Sequence, residues 1–393
     1  MRIGVNLPLR GRDGLPLDAE GIARRARLVE EAGLDGIWMQ DSMIPGSMRP
    51  DPLMWLLVAC AATTELEVGT SILIVPLRNP VDLAQRFLTL EALTHGRFTF
   101  GVGSGSTRAS HESAGVAFED RFQLLYGHMD TIRRLCRGEA MGAAHLDPWP
   151  SVRGRPRFVL GAWHSELSLR RAVAEYDGWM CSAGRTNYTI MAQGIERYRR
   201  LGGGRALVST CPVDLSAPTE PLLDDDQFHL RCAPDEAARR LRRLADLGFD
   251  DVLLVMADHT GQTSMFDVDY DLEKLQEIRS LLPRDGRKAW HAEDRAPAAG
   301  AASVPRARRA AVSDRQVTRT RKAGGRVVAL GGDWGERTSP VAVIDIQNAQ
   351  HTYYVMVEGE RRDVTVVKGE DRRHLRTNPD LAGPDVLEAL PDL

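Results

Sequence analysis

The chain has 393 residues, of which 43% are hydrophobic and 27% are charged, and its formal net charge is −3. It is longer than one hydrophobic core usually serves, so we expect at least two domains. The small net charge argues against nucleic acid as the main partner, and no stretch reaches the ~20 apolar residues that a membrane-spanning helix needs. We therefore predict a soluble protein that binds neither nucleic acid nor membrane.

The amino terminus and the cysteines bear on the compartment. MRIGVNLP runs directly into an apolar strand, without the basic region and the cleavage site of a secretory signal, so the cytoplasm is the expected location. The five cysteines are scattered, with no Cys-x-x-Cys pair and no histidines at metal-ligand spacing. We predict that all five are reduced and structural, and that the protein binds no metal.

Short β-type runs alternate with helix-period runs along most of the chain. Such alternation predicts a parallel sheet with crossover helices, and eight pairs favour closure into a (β/α)8 TIM barrel. An open doubly wound sheet is less favoured, because no Gly-x-Gly-x-x-Gly turn follows the first strand. The predicted strands are Arg2 to Leu7, Gly36 to Gln40, Leu66 to Val75, Arg97 to Gly103, Arg157 to Ala162, Gly178 to Ser182, Ala206 to Val213 and Asp251 to Met256.

The segments between the strands are amphipathic. We predict that their apolar stripes pack on the outside of the barrel as core positions and are not sites. The clearest stripe, in the fourth segment, consists of Phe122, Leu125, Met129, Ile132 and Cys136. Equivalent stripes are Ile22, Ala26 and Val29 in the first helix, Leu83, Phe87 and Leu90 in the third, and Ala237, Leu241 and Leu244 in the seventh.

Beyond residue 282 the composition changes twice. Residues 283–325 are dense in Arg, Ala, Gly and Pro and lack an apolar period, which predicts a disordered linker whose charges are solvated. From Arg326 onward strand patterns return, including the hairpin TYYVMVEGERRDVTVV, so residues 326–393 are predicted to form a small α+β domain. If this domain covers the barrel mouth, its aromatic residues Trp334, Tyr353 and Tyr354 are candidates for substrate contact. If it is a tethered or oligomer-forming module, they are candidates for an interaction surface.

Catalytic groups of such barrels lie on the loops that follow the strands. The second strand ends at Asp41 and Ser42, where a carboxylate can orient a ring or take a proton, or merely cap the next turn. The third strand carries Thr70 and Ser71, whose hydroxyls can hydrogen-bond the edge of a planar ligand. These four residues are the first candidates for a site.

The next two strands end in small residues. In the fourth, Gly103 and Gly105 allow the backbone to approach a ligand closely. After the fifth, Ser165 and Ser168 open a helix whose first amides attract phosphate or are capped by Ser165. The neighbouring His164 receives no acid–base role. Because no Ser/His/Asp order or metal motif stands out, the difficult chemistry is expected to come from a cofactor.

Four runs resemble the luciferase-like flavin monooxygenase superfamily over about residues 1–282. They are LVEEAGLDGIWMQDS, LEVGTSILIVPLRNPVDLAQRFLTLEALTHGRFTFGVGSGS, SLRRAVAEYDGWM and APDEAARRLRRLADLGFDDVLL. The resemblance implies a barrel of the bacterial-luciferase type, with a non-prolyl cis peptide between Ser71 and Ile72 beneath an isoalloxazine ring. The further positions that it implies for holding the ring and the phosphate are Gly103, Ser104, Gly105, Gly161, Ala162 and Ser165.

One departure from the family pattern concerns proton transfer. Members that use the deazaflavin coenzyme F420 often carry Asp-His where this chain has Asp41-Ser42, and some carry a Glu near Ser106. This chain carries neither that His nor that Glu. We therefore predict a monooxygenase that oxidises a small organic substrate with reduced FMN and O2. We also predict a flavin reductase partner that supplies the reduced FMN. The alternatives are a deazaflavin-dependent oxidoreductase that transfers hydride, and a flavin-binding protein without turnover.

A second departure concerns the flavin phosphate. Luciferase itself has an arginine at the position that matches Ser104, so the resemblance leaves His164, Ser165 or Arg185 to bind the phosphate here. The tail from about residue 325 resembles a bacterial domain family of unknown function, which implies no activity. We also expect lids over the substrate and a homodimer or larger homo-oligomer. The predicted lids are Leu222 to Phe228 and Ala257 to Phe266.

Overall fold

The structure is a computed structural model of a chain with two compact units. It describes residues 1–46, 48–219, 221–257, 268–282, 313–323, 326–339, 342, 346, 351–368, 373–377 and 385–392. The chain divides into two compact units, Met1–Arg295 and Ala296–Leu393. Residues 283–312 of the predicted linker and most of the predicted lid Ala257 to Phe266 lie outside the described residues.

The first unit is a closed barrel of eight parallel strands. In order around the barrel they are β1 (Arg2–Asn6), β2 (Gly36–Met39), β3 (Glu67–Ile74), β4 (Phe98–Gly103), β5 (Arg157–Gly161), β6 (Gly178–Ser182), β7 (Arg205–Asp214) and β9 (Asp251–Met256). Strand β9 pairs in parallel with both β7 and β1, which closes the barrel. The short strand β8 (Leu230–Arg231) pairs with the end of β7. The predicted fold class and the eight predicted strands are confirmed.

Helices cover the outside of the barrel. They are α1 (Ala19–Glu31), α2 (Pro52–Ala61), α3 (Pro80–Thr94), α4 (Arg108–Ser113), α5 (Arg121–Cys136), α6 (Glu166–Glu175), α7 (Tyr188–Arg200), α8 (Pro234–Asp246) and α9 (Leu272–Ser280). Side chains start several of them: Asp51 caps α2, and Asn79 caps α3. The predicted apolar stripes are buried, except that Phe122 is only half-buried. Within the described ranges, every helix is too short or too polar to cross a bilayer.

A tryptophan fills the middle of the barrel, and glycines make room for it. Trp38 on β2 is almost completely buried. It clusters with Val159, Met180, Leu207 and Leu253 from four other strands. A Cβ atom on Gly4 would lie 2.6 Å from Trp38 Cδ1, and one on Gly69 would lie 2.4 Å from Trp38 Cζ3. The interior is therefore a packed core, and a ligand must bind at one of its ends.

The amino-terminal ends of the strands hold a buried network of charges. Arg205 donates hydrogen bonds to both carboxylate oxygens of Glu67, at 2.7 and 3.0 Å, and to both of Asp251. Arg2 lies 2.6 Å from Glu67, and Thr99 donates its hydroxyl to the same carboxylate. Burial opposes the charge on Glu67, but Arg205 and Arg2 outweigh it and hold the pKa of Glu67 well below its usual range. This end of the barrel serves stability, which leaves the carboxyl end for chemistry.

The second unit contains small sheets around its own core. In its described part, β10 (Ser313–Gln316) pairs in parallel with β14 (His351–Val357), which pairs with β15 (Glu360–Asp363). Strands β11 (Arg319–Ala323), β12 (Arg326–Gly332) and β13 (Gly335–Thr338) form a second sheet. Strands β16 (Thr365–Lys368) and β17 (Arg373–Arg376) form a hairpin, and α10 (Val386–Ala389) packs on β11 and β12.

Two predictions for this region are wrong. Residues 313–323 were assigned to the linker, but they contain β10 and β11, and Val317 and Thr320 are buried. Tyr353 was a candidate for an interaction surface, but it is a core residue whose hydroxyl accepts a hydrogen bond from Arg315 at 2.9 Å. Trp334 packs edge-on against the Tyr353 ring and so supports the same core.

Candidate active site

The carboxyl ends of β3, β4, β5 and β6 are consecutive around the barrel and form one wall. The wall is built around Ile72. A Cβ atom on Gly103 would lie 3.0 Å from Ile72 Cδ1, and one on Gly161 would lie 2.4 Å from Ile72 Cγ2. Ile72 is partly buried and packs on the cluster around Trp38. Ile72 is therefore the floor of the carboxyl end, and the two glycines leave space for its branched side chain.

The peptide between Ser71 and Ile72 is cis, which confirms what the family resemblance implies. The pairing of β3 with β4 shifts register between Thr70 and Leu73, so these two residues leave the regular sheet. Ser71 is buried, and its Oγ atom has no hydrogen-bond partner among the described residues. An unpaired buried hydroxyl is costly unless a ligand or a water completes it, so Ser71 fits its predicted place in a cofactor site.

Asp41 holds the turn that follows β3. Its Oδ2 atom accepts a hydrogen bond from the Ile74 amide at 2.9 Å, and Arg78 binds both carboxylate oxygens. Its own amide donates to the Ile72 carbonyl at 3.0 Å, and its side chain is 2% exposed. This geometry gives Asp41 a positioning role for the cis segment. Ser42, half-buried at the next position, remains only a predicted contact for a ligand.

The predicted cofactor contact of Thr70 is wrong. Thr70 is fully buried, and its hydroxyl donates to the Gly101 carbonyl at 2.7 Å, so it ties β3 to β4 below the site. Ser104 and Gly105 lie in the loop after β4, where both are half-buried. Gly105 has a φ of 72°, in the left-handed region that glycine adopts without strain. The loop therefore lies beside the wall, and its contact with a cofactor stays a prediction.

The ends of β5 and β6 supply the candidate phosphate ligands. Ser165 caps α6, because its Oγ atom accepts from the Ser168 amide at 3.3 Å. Arg185 follows β6, is exposed, and has no ion-pair partner in the described part of the chain. His164 packs against α7, where a Cβ atom on Gly194 would lie 3.1 Å from His164 Cβ, and burial lowers its pKa. Since it packs against α7 and burial opposes its charge, His164 is less suited to an anion than Arg185 and the α6 amides.

The loop after β5 and one predicted lid are both fixed by hydrogen bonds. The carbonyl of Ala162 accepts from Trp179 Nε1 at 3.0 Å, and the contact of Ala162 with a cofactor stays a prediction. The stretch Leu222 to Phe228 bonds to the start of α7, where the Thr189 amide donates to the Asp224 carbonyl at 3.1 Å. The stretch Leu222 to Phe228 therefore lies against the start of α7, where hydrogen bonds hold it.

Sequence reasoning missed three polar residues on the opposite rim. Asn6 ends β1, is buried, and its Oδ1 atom has no partner among the described residues. Gln40, just beyond β2, donates its amide across the barrel to the hydroxyl of Thr210 on β7 at 2.8 Å. Thr210 has a φ of 54° at a register shift in β7, an unfavourable conformation for a β-branched residue. The period-two alternation of β1 and β2 was the signal that could have found Asn6 and Gln40.

Taken together, the rim is neutral and polar above an apolar floor. Asn6, Gln40, Ser71 and Thr210 offer amides and hydroxyls, whereas the carboxylate of Asp41 is neutralised by its ion pair. Such groups suit the hydrogen-bonding edge of a planar heterocycle, and the floor suits its face. In the described ranges, His, Cys, Asp and Glu form no cluster able to hold a metal ion.

We expect Gly161→Ala to weaken cofactor binding by about tenfold or more, because the added methyl group must displace Ile72 from the floor. Adding Ile72→Leu to this variant removes the clashing Cγ2 atom at constant volume and should restore affinity, measured by flavin titration with circular dichroism as a folding check. Gly204→Ala is the matched control, since a Cβ atom there meets no heavy atom within 4 Å. An unrestored double variant would show that Ile72 is not the floor.

The fold and this site define a luciferase-type oxidoreductase barrel. The sequence model of the luciferase-like monooxygenase family matches residues 1–227, which is more than half of the chain. The chain therefore belongs to the luciferase-like monooxygenase family. Within the described residues, the small second unit lies entirely outside the matched range.

Relatives of this chain include F420-dependent glucose-6-phosphate dehydrogenases. The one from Amycolatopsis mediterranei is 35% identical over 128 residues, which cover 30% of this chain and 38% of that protein. The one from Beutenbergia cavernae is 30% identical over 239 residues, which cover 56% of this chain and 67% of that protein. The chain thus matches little more than a third of the first relative and two thirds of the second.

Solved structures of similar fold include two monooxygenases. One from Streptomyces bottropensis superposes with a TM-score of 0.56 at 16% identity, covering 72% of this chain and 97% of that one. The oxygenating constituent of 3,6-diketocamphane monooxygenase from Pseudomonas putida, solved with FMN, superposes with a TM-score of 0.54 at 15% identity, covering 71% of this chain and 96% of that one. At these identities the likeness establishes the fold alone.

Proposed function

We propose that this protein is a flavin-dependent monooxygenase that oxidises a small organic substrate with reduced FMN and O2. The observation that carries the proposal is the set of hydrogen bonds to the Asp41 carboxylate, which come from Arg78 and from the Ile74 amide. Hydride transfer from an alcohol to a deazaflavin requires a base that takes the hydroxyl proton. The carboxylate best placed for that task is already engaged, which favours a reaction that needs no such base.

The residues of the wall fit a flavin. When bound, the flavin supplies the redox chemistry. Ile72 would support a ring face, and Ser71 and Asn6 have unpaired polar atoms that would hydrogen-bond a ring edge. Arg185 and the first amides of α6 would hold the phosphate, since Arg185 has no ion-pair partner among the described residues and the Ser165 side chain accepts only from the Ser168 amide of that first turn.

The outer rim fits an organic substrate. Met43 and Ile44 follow β2, Trp163 follows β5, and these three side chains are 40%, 43% and 53% exposed. Apolar side chains above the floor favour burial of an apolar molecule and exclude water from the reacting atoms. A reductase that delivers reduced FMN, a cytoplasmic location and a homo-oligomeric assembly are parts of the same proposal.

The second candidate is a coenzyme F420-dependent oxidoreductase. It is favoured by the relatives, which are named as F420-dependent dehydrogenases and match the barrel at 30–35% identity. Under this hypothesis the same wall would hold the deazaflavin ring. The proton of the substrate would then need an acceptor other than Asp41.

Equilibrium titration of the purified full chain with FMN, riboflavin and coenzyme F420 tests the choice of cofactor. We expect FMN to bind most tightly, and riboflavin to bind more weakly because it lacks the phosphate. Arg185→Met should weaken FMN binding and leave riboflavin binding unchanged, which provides an internal control for the phosphate site. Saturable binding of F420 without binding of FMN would favour the second candidate.

A further inference from the structure

Asp214, the last residue of β7, is a buried carboxylate with one oxygen that lacks a donor. The residue is 2% exposed. Its Oδ1 atom accepts hydrogen bonds from the Ser216 amide at 3.0 Å and from the Ser216 hydroxyl at 2.6 Å. Its Oδ2 atom is buried and has no hydrogen-bond partner among the described residues. Because an unpaired buried carboxylate oxygen is costly, a donor from a bound molecule would stabilise this position.

A register shift in β7 turns Asp214 toward the inside of the barrel. Leu207, before the shift, belongs to the cluster that fills the barrel interior. Regular alternation from Leu207 would place Asp214 on the outside. After the shift, however, Cys211, Val213 and Leu215 belong to the core that the helices cover. Asp214, between the last two of these, therefore faces the barrel mouth.

The shift has a cost in the backbone. Thr210, which lies within it, has a φ of 54°, in the left-handed region that a β-branched residue adopts only with strain. Strained residues of this kind cluster at active sites and ligand clamps, and an extra residue in a strand re-aims the side chains that follow it. The strained turn at Thr210 therefore serves to present the Asp214 carboxylate at the mouth.

Asp214 lies further out along the barrel than the polar rim. On β9, Met256 pairs with the residue before Asp214, whereas Leu254 pairs with the residue before Asn6. Asp214 is therefore two residues, or about 7 Å, beyond Asn6 along the strand direction. This position suits contact with the outer part of a substrate whose reacting atom lies closer to the floor.

No cation of the described residues pairs with Asp214. Arg231 is its partner in the register of β7 and β8, but the Arg231 side chain is exposed and forms no ion pair in the described part of the chain. Arg240, on α8, binds Glu236 at 2.7 Å. A carboxylate oxygen only accepts hydrogen bonds, so its best complement is a donor that carries positive charge.

We propose that Asp214 binds a protonated amine on the substrate, so that the substrate is a small apolar molecule that carries one amino group. The inference deepens the proposed function and rests on it for the presence of a substrate in this mouth. An ammonium N–H donates to Asp214 Oδ2, while Met43, Ile44 and Trp163 contact the apolar body. Asp214 selects the substrate and has no part in the redox step.

Ligand-observed NMR titration of the purified full chain measures the selectivity, first without flavin and then with FMN. The probes are pairs of a primary amine and an alcohol of the same shape: butylamine and butanol, cyclohexylamine and cyclohexanol, and benzylamine and benzyl alcohol. At least one amine should bind about tenfold more tightly than its alcohol, because only the amine donates a charged hydrogen bond. Equal binding within every pair, in both conditions, would overturn the proposal.

Substitution of Asp214 assigns the selectivity to this side chain. Asp214→Asn keeps the shape and an oxygen for Ser216, so it should bind the alcohols as the wild type does and lose the preference for amines. Asp214→Ser serves if the first variant does not fold. Asp130→Asn, at an exposed position on α5, removes the same charge and is the matched control. An amine preference that survives in the Asp214 variants would also overturn the proposal.

The outcomes separate this inference from the proposed function. An amine preference that depends on Asp214, without any substrate-dependent uptake of O2 by the chain loaded with reduced FMN, would leave the amine site standing and refute the monooxygenase. Uptake of O2 that amines and alcohols stimulate equally, in the wild type and in Asp214→Asn alike, would refute the role of Asp214 and leave the monooxygenase standing.

Discussion

Arg205→Met should lower the free energy of unfolding of the barrel by about 3–5 kcal/mol, because it takes from two buried carboxylates the guanidinium that binds both oxygens of each. Arg205 makes paired hydrogen bonds to Glu67 and Asp251, and the side chains of all three are at most 4% exposed. Arg2 alone cannot neutralise both acids, since it lies 2.6 Å from Glu67 but 3.4 Å from Asp251. Urea unfolding of the wild type and the variant, followed by circular dichroism, measures the difference.

The control and the pH dependence make this prediction specific. Arg200→Met removes an exposed partner of Glu196 and should change stability by less than about 0.5 kcal/mol. The pKa of Glu67 is lowered in the folded state, so its contribution is complete above its unfolded value of 4.5 and is lost as the pH falls toward the lower folded value. The gap between wild type and Arg205→Met should therefore shrink in acid. A gap that stays constant down to acid pH would contradict the assignment.

Asp41→Asn should weaken cofactor binding by about tenfold to a hundredfold, because the turn after β3 loses the ion pair that fixes it. The asparagine keeps one accepting oxygen, so the Arg78 guanidinium would lose its charge partner and one of its two bonds to residue 41 and would keep its bond to the Ile74 carbonyl and a longer contact to Asp51. Arg78→Met should reproduce the loss, and the double variant should be no worse than either single one, since both remove the same interaction. Titration with FMN measures all three.

Loss of turnover without loss of cofactor binding in Asp41→Asn would instead indicate that Asp41 takes part in the reaction. If Asp41 were a base, Asp41→Asn would bind cofactor normally and lose turnover, while Arg78→Met would keep most of both. That pattern would contradict the positioning role and would favour proton transfer by this carboxylate.

The barrel was predictable because each strand carries a short apolar run and each helix carries an apolar stripe. The cis peptide at Ser71 was predictable only through the family resemblance, since nothing in the local residue types requires it. Thr70 was misplaced because a strand-end hydroxyl can point into the barrel or toward a neighbouring strand, and the register shift after Thr70 decides which. The sequence does not reveal that shift.

The residues that sequence reasoning missed were missed for two other reasons. The contact between Gln40 and Thr210 joins residues 170 positions apart, so it exists only once the barrel has closed. The strands at residues 313–323 were missed because the run SDRQVTRTRKA is rich in arginine and resembles a solvated charge run. Of the side chains described in residues 314–322, Val317 and Thr320 are the buried ones, which are too few positions for the pattern to show.

The central claim is that this barrel carries out oxygen chemistry with reduced FMN, and oxygen consumption tests it most directly. The full chain loaded with reduced FMN should consume O2 faster when an apolar organic substrate from a test panel is present, with label from ¹⁸O2 appearing in the product. The same protein should not reduce coenzyme F420 with glucose 6-phosphate. Reduction of F420 by that sugar phosphate without O2, together with no substrate-dependent oxygen uptake, would contradict the account.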